Sequence, residues 1–348
     1  IVNNERLDSL SGLDQLEVIR GNLIIDGNSQ LVNLSGLANL RLVEGIVFVL
    51  GNTSLEALIG LESLESVRSL QICGNPALGN VEALRNLSVV EGTLAFASNP
   101  RLTSLHGLGN VTQIGALTFS GNHSVASLAP LGPFEVIDGD VSIKFNSALA
   151  DLSALDGVKH IGGYLSLWAN EQITDLAVFD ELQTVGEHVQ LVTMNGLQKL
   201  DGMAALTTIG DYLSIYQCAH LETMSGFDAL SEVGGDLVLE GNGVLTELAG
   251  FDNLQRVGGQ FNVAKNTELR RISGFGELTS TTGFQLLLNG SLERVEAFAG
   301  AIEVSSVLTI RHNTSLSTCE VERLYEQFQL ANDRVSVTIE SNLDEACE

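Results

Sequence analysis

The chain has few cationic residues, few aromatic residues and no long apolar run. Lys and Arg number 17 against 43 Asp and Glu, which gives a formal net charge of −26 over 348 residues. An acidic surface of this size repels phosphate backbones, which argues against nucleic acid as a partner. Because no apolar run is long enough to span a bilayer, the sequence predicts no transmembrane segment.

Catalytic and metal-binding patterns are also lacking. The six histidines are scattered, and no Ser/His/Asp set, C-x-x-C or H-x-x-x-H spacing, or phosphate loop occurs. Asp138 and Asp140 form a small acidic corner, but Gly162 and Tyr164 stand at the matching places 24 residues later. We therefore predict no enzyme, no metal site and no cofactor; a carbohydrate-active enzyme would need a carboxylate pair that the sequence does not offer.

The main positive feature is an asparagine that recurs every 23 or 24 residues inside the frame L-x-I-x-x-N-x-x-L-x-x-L-x-G-L. Met194 and Cys218 replace it in two repeats. The recurring asparagines are Asn4, Asn28, Asn52, Asn75, Asn99, Asn122, Asn146, Asn170, Asn242, Asn266, Asn289 and Asn313. A fixed period of this length is typical of a solenoid with one coil per repeat.

Within one coil the pattern indicates short strands joined by bends. Val141 and Ile143 alternate with polar residues, as in a strand with one buried side, and inward positions then recur at every third residue, which does not suit a helix. We predict an all-β fold, a right-handed parallel β-helix with coils of about 24 residues. Glycines such as Gly139, Gly163, Gly235 and Gly259 share one corner, where a positive φ or a close approach of coils excludes a Cβ. Three coils are one residue short at this corner, in segments 67–70, 114–117 and 281–284.

The recurring asparagine has a predicted structural role. Facing inward after the strand, its amide can bond backbone groups that the bend leaves unpaired and can form a ladder with its neighbours. Met194 and Cys218 indicate that the interior is locally more apolar there. Four ladder asparagines also match the glycosylation sequon, but an inward side chain is inaccessible to a transferase. Asn33, Asn86 and Asn110 match it off the ladder and are open to modification if the host glycosylates.

The stretch L-x-G-L-x-x-L-x-x-V-x-G after the asparagine resembles the receptor L domain, the parallel β-helix of growth-factor receptor ectodomains. The resemblance covers residues 1 to about 316 and implies recognition outside the cell or at its surface. A growth-factor role does not carry over, because those domains are shorter and richer in cysteine. Ile1 aligns with Ile25, in the middle of a strand, so we expect an upstream coil; no signal sequence is visible.

The period breaks at Ser317, where a C-terminal cap of residues 317–348 is predicted to follow the solenoid of residues 1–316. Ser317 and Glu320 form a capping-box pattern. The residues predicted to share one helical face are Val321, Leu324, Tyr325 and Phe328, and those of a final strand are 335–339.

The four cysteines fall into two classes. Cys319 and Cys347 lie at near-equivalent points of adjacent coils, roughly 5 Å apart, so we predict a disulfide and an oxidising compartment. Cys73 and Cys218 are six coils, about 29 Å, apart and are predicted to be free thiols, one outward and one inward.

The few aromatic residues are clustered. Aligning the outward positions of the L-x-I strands brings the only Trp and three of the four Tyr onto one patch. The predicted ligand contacts are Tyr164, Trp168, His188, Val192, Tyr212 and Tyr216, with a rim of Asp140, Lys144, Asp236 and Glu240. Aromatic side chains on a rigid sheet bind proteins and stack on sugars, although Tyr and Trp also simply favour exposed strands.

These features together predict a non-enzymatic recognition or adhesion protein that binds a protein or glycan partner on its exposed sheet face. The alternative is a structural segment of a surface fibre or wall that assembles end to end. A weaker apolar patch of Ile24, Phe48 and Leu50 is predicted to be a packing or assembly surface.

Overall fold

The computed structural model describes residues 1–340 and 342–343. The chain divides into two compact units: unit 1 comprises Ile1–Ile161 and Ala169–Gln172, and unit 2 comprises Gly162–Trp168 and Ile173–Glu348. The predicted fold class is confirmed, since the chain is a parallel β-solenoid of about 13 coils with ~24-residue spacing. The right hand of the solenoid and the boundary at residue 316 stay predictions.

Unit 1 is built from parallel strands that repeat once or twice per coil. Its strands are β1 (Val18–Ile19), β2 (Leu23–Asp26), β3 (Leu42–Leu50), β4 (Ser66–Cys73), β5 (Val89–Ala97), β6 (Gln113–Ser120), β7 (Val136–Ile137), β8 (Val141–Lys144) and β9 (His160–Ile161). Three 3₁₀ turns, at Ser35–Leu37, Glu82–Leu84 and Ser153–Leu155, each directly follow a buried leucine or valine.

Unit 2 continues the same coil plan and adds the one α-helix of the described residues. Its strands are β10 (Leu165–Trp168), β11 (Thr184–Val185), β12 (Val189–Val192), β13 (Lys199–Leu200), β14 (Thr208–Ile209), β15 (Leu213–Tyr216), β16 (Thr223–Met224), β17 (Glu232–Val233), β18 (Leu237–Glu240), β19 (Glu247–Leu248), β20 (Arg256–Ala264), β21 (Arg271–Ile272), β22 (Ser280–Leu287), β23 (Arg294–Val295), β24 (Ile302–Arg311), β25 (Phe328–Leu330) and β26 (Ser336–Glu340). Its helices are a 3₁₀ turn (Ala177–Phe179) and α1 (Thr318–Tyr325). Strands β13, β16, β19, β21 and β23 form a separate five-stranded parallel sheet.

The predicted asparagine ladder is confirmed. The side chain of Asn266 is fully buried, its Oδ1 accepts from the backbone N–H of Asn242 at 3.0 Å, and its Nδ2 donates to the Leu239 carbonyl at 2.9 Å. The same two bonds recur along the ladder of each unit, and Cys218 still donates its backbone N–H to Asn242 Oδ1 at 3.0 Å. In each coil that carries the asparagine, backbone groups that the bend would leave unpaired in the core thus find a partner.

A feature of the bend was not predicted: the residue before each ladder position has a positive φ. Glycine suits this conformation, but Phe145 (φ 57°), Lys265 (φ 56°) and Leu288 (φ 57°) also adopt it. The left-handed conformation costs such residues about 1–2 kcal/mol. The hydrogen bonds of the adjacent ladder residue hold the backbone in place and offset this cost.

The glycine corner is explained by close approach and not by φ. A Cβ on Gly139 would lie 2.9 Å from the carbonyl oxygen of Gly115, and one on Gly259 would lie 2.9 Å from the backbone nitrogen of Asp236; neither glycine has a positive φ. One residue earlier in the same corner, a Cβ on Gly210 would lie 2.0 Å from the carbonyl oxygen of Gly186. Register shifts between paired strands occur at the predicted short corners, for example between Thr281 and Gly283. Length changes are therefore absorbed at the corner where neighbouring coils approach most closely.

The C-terminal part of unit 2 partly matches its prediction. Ser317 caps α1 as predicted, its Oγ accepting from the Glu320 N–H at 3.3 Å, while the Glu320 carboxylate accepts from Arg323 at 2.6 Å. The predicted helical face was too long: α1 ends at Tyr325, and Phe328 begins β25 because it pairs in register with Ile302 of β24.

The cysteine predictions are settled in part. Cys73 is a half-buried free thiol and Cys218 a buried one, as predicted. Cys347 lies outside the described residues, so its disulfide with Cys319 stays a prediction.

Candidate recognition surface

Three strands of unit 2 lie side by side and in register, and they position the predicted contacts. Leu165 of β10 pairs with Val189 of β12, which pairs with Leu213 of β15. These three residues are buried, so alternation along each strand directs the residues on either side of them outward. Equivalent outward residues of successive coils therefore form columns that run across the strands.

The first column is a stack of three rings. The ring centroids of Tyr164 and His188 are 4.7 Å apart with an interplanar angle of 7°, and those of His188 and Tyr212 are 4.3 Å apart at 6°. All three side chains are half-buried. Since both faces of His188 are covered by its neighbours, the middle of the column offers ring edges to solvent.

The second column is formed by the last residues of the same strands, Trp168, Val192 and Tyr216, which pair in register. Trp168 is 38% exposed and Tyr216 is half-buried, but Val192 is only 6% exposed because it lies between two larger side chains. Val192 supports the rings on either side and offers little surface of its own. Its role as a ligand contact stays a prediction.

Small polar side chains lie between the two columns. Ser166 is 1% exposed and donates its hydroxyl to Gln190 Oε1 at 3.3 Å, and Ser214 occupies the next equivalent position. Neither serine was among the predicted contacts. The sequence feature that could have identified them is their position midway between two aromatic residues of the same coil. That position places them in the polar floor, the shallow surface between the two columns.

The rim residues fall in different units. Asp236 and Glu240 belong to unit 2: Asp236 Oδ1 accepts from the Gln260 N–H at 2.7 Å, and Glu240 Oε1 accepts from Lys265 Nζ at 2.8 Å. Asp140 and Lys144 belong to unit 1, and their part in the site stays a prediction.

Two further carboxylates beside the rings were missed from the sequence. Glu187 and Asp211 are exposed and directly precede His188 and Tyr212 in the chain. Burial, the Asp211 carboxylate and Tyr164 together raise the pKa of the Tyr212 phenol, in that order of importance. Tyr212 is therefore a neutral hydrogen-bonding group at physiological pH.

Comparison with known proteins finds a family likeness over part of the chain. Residues 1–107 match the family model described as Receptor L domain. This segment, about a third of the chain, is similar to the receptor L domain family. No curated protein matches the chain. The resemblance drawn from the repeat is thus confirmed, and the match ends before the columns at residues 164–216.

Receptor L domains are non-enzymatic ligand-binding domains found in receptor ectodomains. Among residues 1–340 and 342–343, no group of three or more His, Cys, Asp or Glu side chains is placed to hold a metal ion. No helix in this part of the chain is long and apolar enough to cross a membrane.

One open recess of about 620 Å³ lies in unit 1, away from the predicted contacts. Its lining includes Ser104 and His106, and the Ser104 hydroxyl meets His106 Nδ1 while also accepting the His106 backbone N–H. The second bond is that of a local turn, which gives this serine a structural role. The weaker apolar patch also lies in unit 1, where Ile24 pairs with Phe48 and is 38% exposed.

Proposed function

We propose that this chain recognises a protein partner through the ring patch, defined as Tyr164, Trp168, His188, Tyr212 and Tyr216. The observation that supports this most is the concentration of rings: the chain has one Trp and four Tyr, and four of these five side chains lie on one sheet face of unit 2. Trp and Tyr are the residues most often found as anchors of protein interfaces.

The stacking geometry favours a protein over a glycan. A sugar binds an aromatic residue by lying against its face. In the first column the rings are 4.3–4.7 Å apart and nearly parallel, so the faces between them are occupied. Ring edges beside a small polar floor suit the mixed apolar and hydrogen-bonding contacts of a protein surface.

The rigid sheet also lowers the cost of binding. The columns stand on strands whose inward residues are fully buried, and the rings of the first column hold one another in place. Side chains that are ordered before binding lose less conformational entropy when the partner arrives.

A combined protein and glycan array tests the proposal. The wild-type protein is compared with Trp168→Ala/Tyr216→Ala and with the control Tyr325→Ala, which removes the remaining tyrosine, 40% exposed on α1. We expect protein ligands that bind the wild type and the control but not the double variant, with stability changed by no more than about 1 kcal/mol. Ligands bound equally by all three proteins, or glycans alone lost with the double variant, would contradict the proposal.

A further inference from the structure

The charge around the ring patch is strongly one-sided. Residues 173–255 contain 13 Asp and Glu, one Lys and no Arg, which leaves 30 acidic and 16 basic residues in the rest of the chain. The single cation, Lys199, lies in β13 of the five-stranded sheet and not on the sheet that carries the patch. The acidic excess of the chain is therefore concentrated in a segment that carries three of the five patch rings, His188, Tyr212 and Tyr216.

Carboxylates adjoin the first ring column directly. Glu187 and Asp211 are exposed and each precedes a ring of the column. Asp236 occupies the next place in the same column, because Leu213 pairs with Leu237, and so it lies one strand spacing of about 4.8 Å beyond Tyr212. Its Oδ1 is held by the Gln260 N–H at 2.7 Å, which fixes the carboxylate beside the column.

The end of the ring column has the chemistry of a cation site. One face of Tyr212 is covered by His188, and the column continues from the other face toward Asp236. A guanidinium or ammonium group placed here would meet the negative face of an aromatic ring and two carboxylates, Asp211 and Asp236. The next two basic residues after Asp236 in the chain are already paired, Arg256 with Glu232 at 2.5 Å and Lys265 with Glu240 at 2.8 Å.

We propose that the partner presents Arg or Lys side chains to the ring patch, with one cation seated between Tyr212 and the carboxylates of Asp211 and Asp236. This inference rests on the proposed function, since it names the chemistry of the partner that the patch recognises. Charge complementarity supplies attraction and orientation, while the rings supply contact area.

The test uses defined peptides as probes. Blocked twelve-residue peptides of alternating Gly and Arg, Gly and Glu, or Gly and Ser are titrated into the protein, and binding is followed by the emission of Trp168, the only Trp of the chain. Asp211→Asn/Asp236→Asn removes two charges, and Asn keeps an Oδ1 that can accept the Gln260 N–H. The control Asp180→Asn/Asp228→Asn makes the same charge change at two exposed positions, each directly after a buried phenylalanine, Phe179 or Phe227.

We expect saturable binding of the Arg peptide alone, weakened about tenfold or more by the Asp211/Asp236 variant and by less than about twofold in the control. Absence of Arg-peptide binding overturns the inference. Equal weakening in both double variants also overturns it, because it would show only diffuse attraction of a cationic peptide to an acidic protein.

Calorimetry with Trp168→Ala/Tyr216→Ala separates this inference from the proposed function. Binding of the Arg peptide that needs the carboxylates but not these rings would refute the ring patch as the recognition surface. An array ligand that needs the rings but binds Asp211→Asn/Asp236→Asn with wild-type affinity would keep the proposed function and overturn the cationic partner.

Discussion

Removal of the ladder amide of Asn266 should lower the free energy of unfolding of unit 2 by the contribution of the hydrogen bonds that this amide makes. In Asn266→Ala, the buried N–H of Asn242 loses its acceptor at 3.0 Å and the Leu239 carbonyl loses a donor at 2.9 Å. A buried donor left unsatisfied costs about 1–3 kcal/mol, and loss of the second bond adds about 1 kcal/mol. We expect a total loss of about 2–4 kcal/mol in the free energy of unfolding.

The matched control is Cys218→Ala, at the same position of another coil in unit 2. The Cys218 sulfur contacts carbonyl oxygens only at 3.8 Å, so its removal should cost about 1 kcal/mol, the value for one small buried group. Urea unfolding gives the global effect, and hydrogen exchange of the Asn242 amide gives the local one. If Asn266→Ala costs no more than Cys218→Ala, or if the Asn242 amide keeps its protection, the ladder does not stabilise the coils as described.

Two further predictions concern the glycine corner and the buried thiol. Gly210→Ala places a Cβ 2.0 Å from the Gly186 carbonyl oxygen and should lower stability by about 1–3 kcal/mol in urea unfolding, whereas Gly21→Ala, whose Cβ meets nothing within 4 Å, should change it by less than about 0.5 kcal/mol. Burial raises the pKa of the Cys218 thiol from 9.0 to about 11, so N-ethylmaleimide followed by peptide mapping should label it in the native protein more slowly than the half-buried Cys73. Because the pKa of this thiol is higher in the folded than in the unfolded protein, the stability that it contributes is complete below pH 9.0 and is lost as the pH rises through about 11. Between these pH values the stability of wild type should fall more steeply than that of Cys218→Ala, and equal slopes would contradict the prediction.

The structure of one coil could be predicted from the sequence because every coil repeats the same pattern. Strand alternation, the ladder asparagine and the short corners are each seen several times, so a local ambiguity in one coil is resolved by its neighbours. The prediction failed where the repeat ends: Phe328 matched a helical pattern, but pairing with the exposed edge of β24 was the stronger interaction.

Other features depend on contacts between coils and are not encoded by local pattern. Nothing in the sequence around Phe145 or Leu288 favours a positive φ, which follows from the hydrogen bonds of the adjoining ladder residue. Likewise, alternation placed Val192 and Trp168 on the same outward face, but the size of the neighbouring side chains decides that one is covered and the other exposed. The face-to-face stacking of Tyr164, His188 and Tyr212 is also set by the spacing of coils.

Recognition through the ring patch is tested most directly by calorimetry, which gives the affinity of the strongest protein ligand from the array for wild type and for Trp168→Ala/Tyr216→Ala. The melting temperature of both proteins is measured alongside. If the ring patch is the recognition surface, the double variant binds about 100-fold or more weakly, the loss expected for two interface anchors, while its melting temperature stays within a few degrees of wild type. Equal affinity would show that the ring patch is not the recognition surface, and a large fall in melting temperature would show that these rings serve the fold.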